Sequence, residues 1–335
     1  MRIGDFDLAE HVLVVAEIGN NHEGDAGRAR AMIEAAAEAG APAVKMQTFR
    51  TRSFISSSDE KRIEQLSRFE LTFDEFAELA QLARSHGMLF LSTPLDLESA
   101  DFLEGVVDGF KIASGDNDFY PLIERVAASE RPLVISTGAS DVPTIERAVA
   151  AVEKVRGADA KDSLALLHCV SSYPAEDDSA NLLSIPFLAE RFPYTIGYSD
   201  HTLGGTAALA AVALGARLIE KHFTLEGIES DFRDHELSAT PSALGGLLDA
   251  IAQLEQMLGT PAKQVGPAEA GIAEAIRRSI AAAGDLEAGR RLEPSDLIWV
   301  RPGSGLRPGE ESALVGHTLK MPKRRGELLL ADDVD

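Results

Sequence analysis

The stretch Val12-Leu13-Val14-Val15-Ala16-Glu17-Ile18-Gly19-Asn20-Asn21-His22 decides the fold. It opens on a near-continuous apolar run, which reads as a parallel strand buried on both faces. The turn that follows separates the two architectures that wrap helices around parallel strands. A doubly wound dinucleotide fold would place a glycine-rich phosphate loop there. This chain has an acid at the strand end and then Gly-Asn-Asn-His. Seven further runs of the same kind follow, at 43–47, 89–93, 109–112, 133–137, 164–169, 195–199 and 217–222. Helical patterns lie between them, at 28–39, 73–85 and 207–214, and a last one spans 242–258. Eight strands alternating with helices predict a (β/α)₈ barrel.

Gly259-Thr260-Pro261 breaks the final helical pattern. The expected organisation is a barrel over 1–260, a linker over 261–276 and a small β-rich module over 277–335. That module carries strand-like runs at 279–283 and 297–300 and the Gly/Pro loop Arg301-Pro302-Gly303-Ser304-Gly305. A module of that size builds little core of its own. The formal net charge is −22, which repels nucleic-acid phosphates and anionic membranes, so neither is expected as a partner. No long apolar run free of charge suggests a spanning helix, and the first residues lack the apolar segment of a secretory signal. The single cysteine, Cys169, cannot form an internal disulfide. These features lead us to expect a cytoplasmic protein.

In barrels of this kind chemistry gathers at the C-terminal ends of the strands. There the chain places Glu17, Lys45 and Gln47, Thr93, Lys111 and Ser114, Thr137, His168 with Ser171 and Tyr173, Ser199-Asp200-His201, and Glu220-Lys221-His222. His201 and His222 fall on adjacent strands. Two imidazoles without a thiolate suit an open divalent-ion site, for Mn²⁺, Fe²⁺, Co²⁺ or Zn²⁺, and suit equally a hydrogen-bonded structural pair. Lys45, Lys111 and Lys221 each close an apolar run. With Thr93, Ser114 and Ser199, the first two could cradle a small anion. A lysine Schiff base is the alternative use of such a residue. His22 and His235 lie in polar loops from which they could touch substrate; His168 reads as packing.

The segments Ala16-Glu17-Ile18-Gly19-Asn20-Asn21-His22-Glu23-Gly24, Val44-Lys45-Met46-Gln47-Thr48, Ser92-Thr93-Pro94, Lys111-Ile112-Ala113-Ser114-Gly115, Leu167-His168-Cys169, Ser199-Asp200-His201-Thr202 and Glu220-Lys221-His222-Phe223-Thr224 occur in that order. Together they resemble the sialic acid synthase family, which includes the legionaminic and pseudaminic acid synthases. The C-terminal module looks like the antifreeze-like (SAF) domain attached to these enzymes. The resemblance implies condensation of phosphoenolpyruvate with an N-acylated amino hexose. It also implies His201 and His222 as ligands of a divalent metal, usually Mn²⁺, with Mg²⁺ or Co²⁺ as substitutes. Lys45, Thr93, Lys111, Ser114 and Ser199 would bind phosphoenolpyruvate, and Gln47, Tyr173, Glu220 and Asp234 would approach the sugar. Glu17 would position or deprotonate the attacking water. The family forms domain-swapped homodimers, which implies that Arg301 reaches the sugar's acyl group in the other subunit.

Two departures bear on this reading. Ser171 stands where the family pattern has an asparagine, which changes a phosphate contact. The loop Glu229-Ser230-Asp231-Phe232-Arg233-Asp234-His235 differs from the usual Gly-Pro-Asp-containing stretch, and together with residues 50–58 it is the expected selector of sugar substituents. The other readings are a related synthase acting on a phosphorylated aldose, which needs an additional cationic pocket, and a non-enzymatic carbohydrate-binding protein.

Overall fold

The computed structural model describes residues 1–228 and 230–335. All eight expected runs are strands: β3 (Leu13–Gly19), β4 (Ala43–Thr48), β5 (Leu89–Pro94), β6 (Gly109–Ile112), β7 (Leu133–Ser136), β8 (Leu164–Cys169), β9 (Thr195–Asp200) and β10 (Leu218–His222). They pair in parallel and in chain order, and β10 closes on β3 with Leu218 opposite Leu13 and His222 opposite Glu17. Surrounding helices start where the sequence caps them. Asp25 accepts hydrogen bonds from the Gly27 and Arg28 amides ahead of the helix Ala26–Glu38, and Thr72 and Glu75 form a reciprocal capping box ahead of Phe73–Ser85.

Strand side chains alternate between two cores. One set, including Val14, Ala16, Val44, Phe90, Tyr198 and Ile219, faces the helices in one large cluster. The other set, Leu13, Val15, Ala43, Leu91, Val134, Ala165, Leu167 and Leu218, fills the barrel interior. Gly197 has no room for a side chain, because a Cβ there would collide with the Leu218 carbonyl oxygen and the Leu167 side chain. A short hairpin, β1 (Arg2–Ile3) with β2 (Phe6–Asp7), precedes the barrel, and Ile3 and Leu8 join the interior cluster beneath the first barrel layer. Each such buried aliphatic side chain contributes about 1.5–3 kcal/mol. The barrel is therefore filled and floored at its lower end.

The protein has two compact units, Met1–Gly259 and Thr260–Asp335. In the second unit, β11 (Ser279–Ala282) pairs antiparallel with β12 (Leu297–Val300). Ile280, Leu286, Leu292, Leu297, Leu319 and Leu329 form its own core. Within the segment read as a linker, Pro267–Ile276 is helical, with Pro267 at the first position where its fixed φ suits a helix start. Among the described residues no helix is long and apolar enough to cross a membrane.

Candidate active site

Above the apolar interior layer, the same inward alternation carries charged and hydroxyl side chains. Lys45 Nζ lies 2.8 Å from Glu17 Oε2, 3.7 Å from Glu220 Oε2 and donates to Thr93 Oγ1 at 3.1 Å. Lys111 Nζ lies 3.9 Å from Glu220 Oε1, which also accepts the Ser199 hydroxyl at 3.0 Å. Two carboxylates and two lysines, from the four strands β10, β3, β4 and β6, thus form one cluster, all buried. Their surroundings tune them differently. Burial pushes the Glu17 carboxyl up to about 7, although Lys45 opposes the shift. Burial acts the same way on Glu220, but Lys111 and Lys45 outweigh it and hold that carboxyl below its ordinary value. Lys45 stays above the ordinary lysine value because Glu17 and Glu220 overcome its burial; Lys111, held by burial, falls below it. One side of the cluster is thereby poised to exchange a proton near neutrality, and the other keeps its charge.

The two histidines stand beside this layer, with ring centroids 5.3 Å apart. His201 Nδ1 meets the Val170 carbonyl at 2.8 Å, so it carries the proton there and leaves the Nε2 lone pair available. His222 Nδ1 is buried without a hydrogen-bond partner. Burial drives both imidazoles below their ordinary pKa and so favours the neutral form that binds metal. Among the described residues no third His, Cys, Asp or Glu joins them as a metal-binding group. The pair fits an ion that takes its remaining ligands from water and substrate. The Tyr173 ring lies tilted against His201 with centroids 4.2 Å apart, the Arg233 guanidinium lies 4.5 Å from the Tyr173 ring centroid, and Arg233 pairs with the buried Asp234 at 3.1 Å.

A cavity of ≈ 890 Å³ opens here, lined among others by Asn20, Gln47, Tyr173 and Asp234. Asn20 Nδ2 donates to Gln47 Oε1 at 2.8 Å, which leaves the Gln47 amide hydrogens free to donate into the cavity. Asn20 escaped the sequence reading because nothing distinguishes it from a turn residue. Ser114 and Ser171 meet over Gly138: the Gly138 amide donates to Ser114 Oγ at 3.1 Å, and a Cβ there would collide with both hydroxyls. Gly138 is a site residue that only the fold reveals.

Several expected positions serve other ends. His22 does not face substrate; it is fully buried, accepts from the Gly24 amide, and its pKa is pulled down to about 4 by burial. Thr137 donates to the Leu167 carbonyl, a strand-end role, and His168 bonds the Ala180 carbonyl. His235 bonds Thr224 and Glu23. Lys221 points to the opposite strand face from Glu220 and His222 and pairs with Asp200 at 3.0 Å, so it cannot join the anion cradle. Of the expected selector segment 50–58, only Phe54 lines the cavity; Arg50 stacks on Phe73 and bonds the Leu71 carbonyl. The wall is completed further along by Arg62, Gln65, Leu66, Arg68 and Phe69, which follow two short helices, Thr51–Phe54 and Glu60–Ser67, or lie within them. Ser230 to Asp234 line the cavity, while Glu229 lies outside the described residues. Arg301 is exposed in the loop that follows β12 of the second unit.

Residues 32–263 match the profile of the NeuB family, and residues 277–335 match that of the SAF domain. The chain belongs to the NeuB family. A curated NeuB-family relative, the N,N'-diacetyllegionaminic acid synthase of Legionella pneumophila, is 37% identical over 96% of this chain and 94% of its own length. The human N-acetylneuraminate-9-phosphate synthase is 30% identical over 96% and 92%. The crystal structure of N-acetylneuraminic acid synthetase from Leptospira borgpetersenii, in complex with citrate, superposes with a TM-score of 0.74 at 32% identity, covering 80% of this chain and 93% of that one. This NeuB-family chain is an enzyme of the same synthase type.

Proposed function

We propose that the chain condenses phosphoenolpyruvate with an N-acylated amino hexose and water, giving a nine-carbon 2-keto-3-deoxy sugar acid and phosphate. The observation that carries this reading is the buried lysine–carboxylate cluster beside two neutral imidazoles at one barrel mouth. Lys45 and Lys111, with Thr93, Ser114, Ser171 and Ser199, hold the anionic groups of phosphoenolpyruvate and stabilise the departing phosphate. His201 and His222 hold a divalent ion, for which Mn²⁺ is proposed. When bound, such an ion withdraws charge from an aldehyde oxygen and so makes its carbon more electrophilic. Phosphoenolpyruvate carbon 3 then bonds to the aldehyde carbon, leaving positive charge at carbon 2. Glu17 orients water toward carbon 2 and takes its proton; the tetrahedral adduct collapses by breaking the carbon–oxygen bond to phosphate. Gln47, Tyr173, Glu220 and Asp234 approach the sugar, Glu220 doing so from its place between the lysines.

Phe49, Phe54, Phe69 and Phe232 on the cavity wall suit the methyl groups of a 6-deoxy diamino sugar, in keeping with the likeness to a legionaminic acid synthase. A phosphorylated aldose is the second reading, favoured by Arg62 and Arg68 on the same wall, though Arg68 already pairs with Glu64 at 2.6 Å. A cytoplasmic homodimer in which Arg301 completes the other subunit's site is part of the proposal. The test is phosphate release from phosphoenolpyruvate with Mn²⁺ and a panel of aldoses: N-acetylmannosamine, its 6-phosphate, and a 6-deoxy diacetamido hexose. Aldose-dependent release that a chelator stops, with a product mass equal to aldose plus phosphoenolpyruvate plus water less phosphoric acid, is expected. No release with any aldose and any divalent metal overturns the proposal.

A further inference from the structure

Between the two histidine segments, on the strand face turned away from the lumen, lies a buried ion pair that the chemistry above does not use. Asp200 immediately precedes His201, and Lys221 immediately precedes His222. Asp200 and Lys221 stand opposite each other in the β9–β10 register, 0% and 2% exposed. Lys221 Nζ donates to Asp200 Oδ2 at 3.0 Å and also to the Thr202 carbonyl, so a single ammonium bridges the residues on either side of His201. The other carboxylate oxygen, Oδ1, accepts both the Thr202 amide at 2.9 Å and the Thr202 hydroxyl at 2.8 Å. This closes an Asx-type turn around His201. The backbone carbonyls of the two histidines are fastened as well, to the Ala175 and Ala239 amides.

A buried ion pair is a poor source of net stability, because desolvation of both charges offsets most of their attraction. What this pair does supply is a fixed connection between two strand ends whose next residues are the imidazoles. We propose that Asp200 and Lys221 are positioning residues: their ion pair, with Thr202, sets the separation and aim of His201 and His222 and thereby the affinity for the divalent ion, without touching ion or substrate. This rests on the reading of His201 and His222 as the ion's ligands.

The experiment is a Mn²⁺ titration of the metal-stripped full chain, read by the electron paramagnetic resonance signal of free Mn²⁺. It compares wild type, Asp200→Asn/Lys221→Met, which removes both charges and leaves neither orphaned, and Thr202→Val, which keeps both charges and breaks one strut. Metal-free binding of phosphoenolpyruvate by calorimetry and the melting temperature are recorded for each. Loss of outer partners behind metal ligands weakens binding about 10- to 100-fold. A rise in the Mn²⁺ Kd of at least about tenfold is expected for the double variant and about threefold for Thr202→Val, with phosphoenolpyruvate affinity unchanged. Wild-type Mn²⁺ affinity in a folded double variant overturns the proposal. If the double variant does not fold, wild-type affinity in Thr202→Val overturns it. Absence of Mn²⁺ binding by the wild-type chain defeats the ligand assignment itself, an outcome visible before any variant is compared.

Discussion

Glu17 sits where a carboxylate gains an ammonium neighbour at 2.8 Å and loses all of its water. The loss is the larger effect, which is why the group titrates at about 7 while Glu220, with two ammonium neighbours, remains ionised far below that. Two carboxylates 203 positions apart in the sequence thus meet in one cluster with opposite shifts in their proton affinity. The sign of the pH dependence follows. Below about pH 7 Glu17 is protonated and cannot take a proton from water; above it the base form is present. The profile of kcat/KM is therefore expected to fall on the acid side with about tenfold loss per pH unit and to level off above neutrality. Glu17→Gln should lower kcat by roughly 10²- to 10⁴-fold and erase that limb, while phosphoenolpyruvate binds nearly as before. A profile flat from acid to neutral pH in the wild-type enzyme would remove Glu17 from the role.

At the scale of elements, the eight strands were legible because a parallel strand buried on both faces leaves an unbroken apolar run, as in 164–169 and 109–112, whose observed bounds coincide with the reading. The polar strand ends were legible for the same reason: they interrupt such runs. Which way each side chain points was less so. Lys45 and Lys221 look alike in sequence, each closing an apolar run, yet one faces the lumen and the other the helices. Strand parity separates them, since Lys221 lies between Glu220 and His222 and must point opposite to both. The hairpin β1–β2, with two residues per strand, has no periodicity to read, and the short helices at 51–54 and 60–67 sit in a polar stretch indistinguishable from a loop. The hairpin nevertheless has a measurable task. Ile3→Ala should cost about 2–5 kcal/mol in denaturant unfolding, because it opens a cavity beneath the barrel interior, and should leave both KM values unchanged. Altered KM with unchanged stability would contradict the placement of this residue at the floor.

At the scale of the molecule, a formal charge of −22 surrounds a site that must admit a multiply charged anion. Against it stand a few local cations, the buried Lys45 and Lys111, each beside a carboxylate, and Arg62, Arg68 and Arg233 on the cavity wall, so the net charge of the whole chain sets a repulsive field at distance. Salt screens charges separated by more than about 10 Å at 0.1 M and leaves the buried contacts largely intact. We expect kcat/KM for phosphoenolpyruvate to rise as ionic strength increases from about 0.01 to 0.1 M. A steady fall over that range would mean that the local lysine field dominates at distance.

The floor made by Ile3 and Leu8 turns the barrel into a vessel with one opening. The lysines lie just above its apolar filling, whereas Gln47, Tyr173 and Asp234 border the wider space above. Whatever the lysines grip must enter before the second reactant covers it, and must leave after the new carbon chain has gone. On the proposed chemistry the traffic is expected to run last in, first out, an order set by an apolar filling and a hairpin floor that take no part in the reaction.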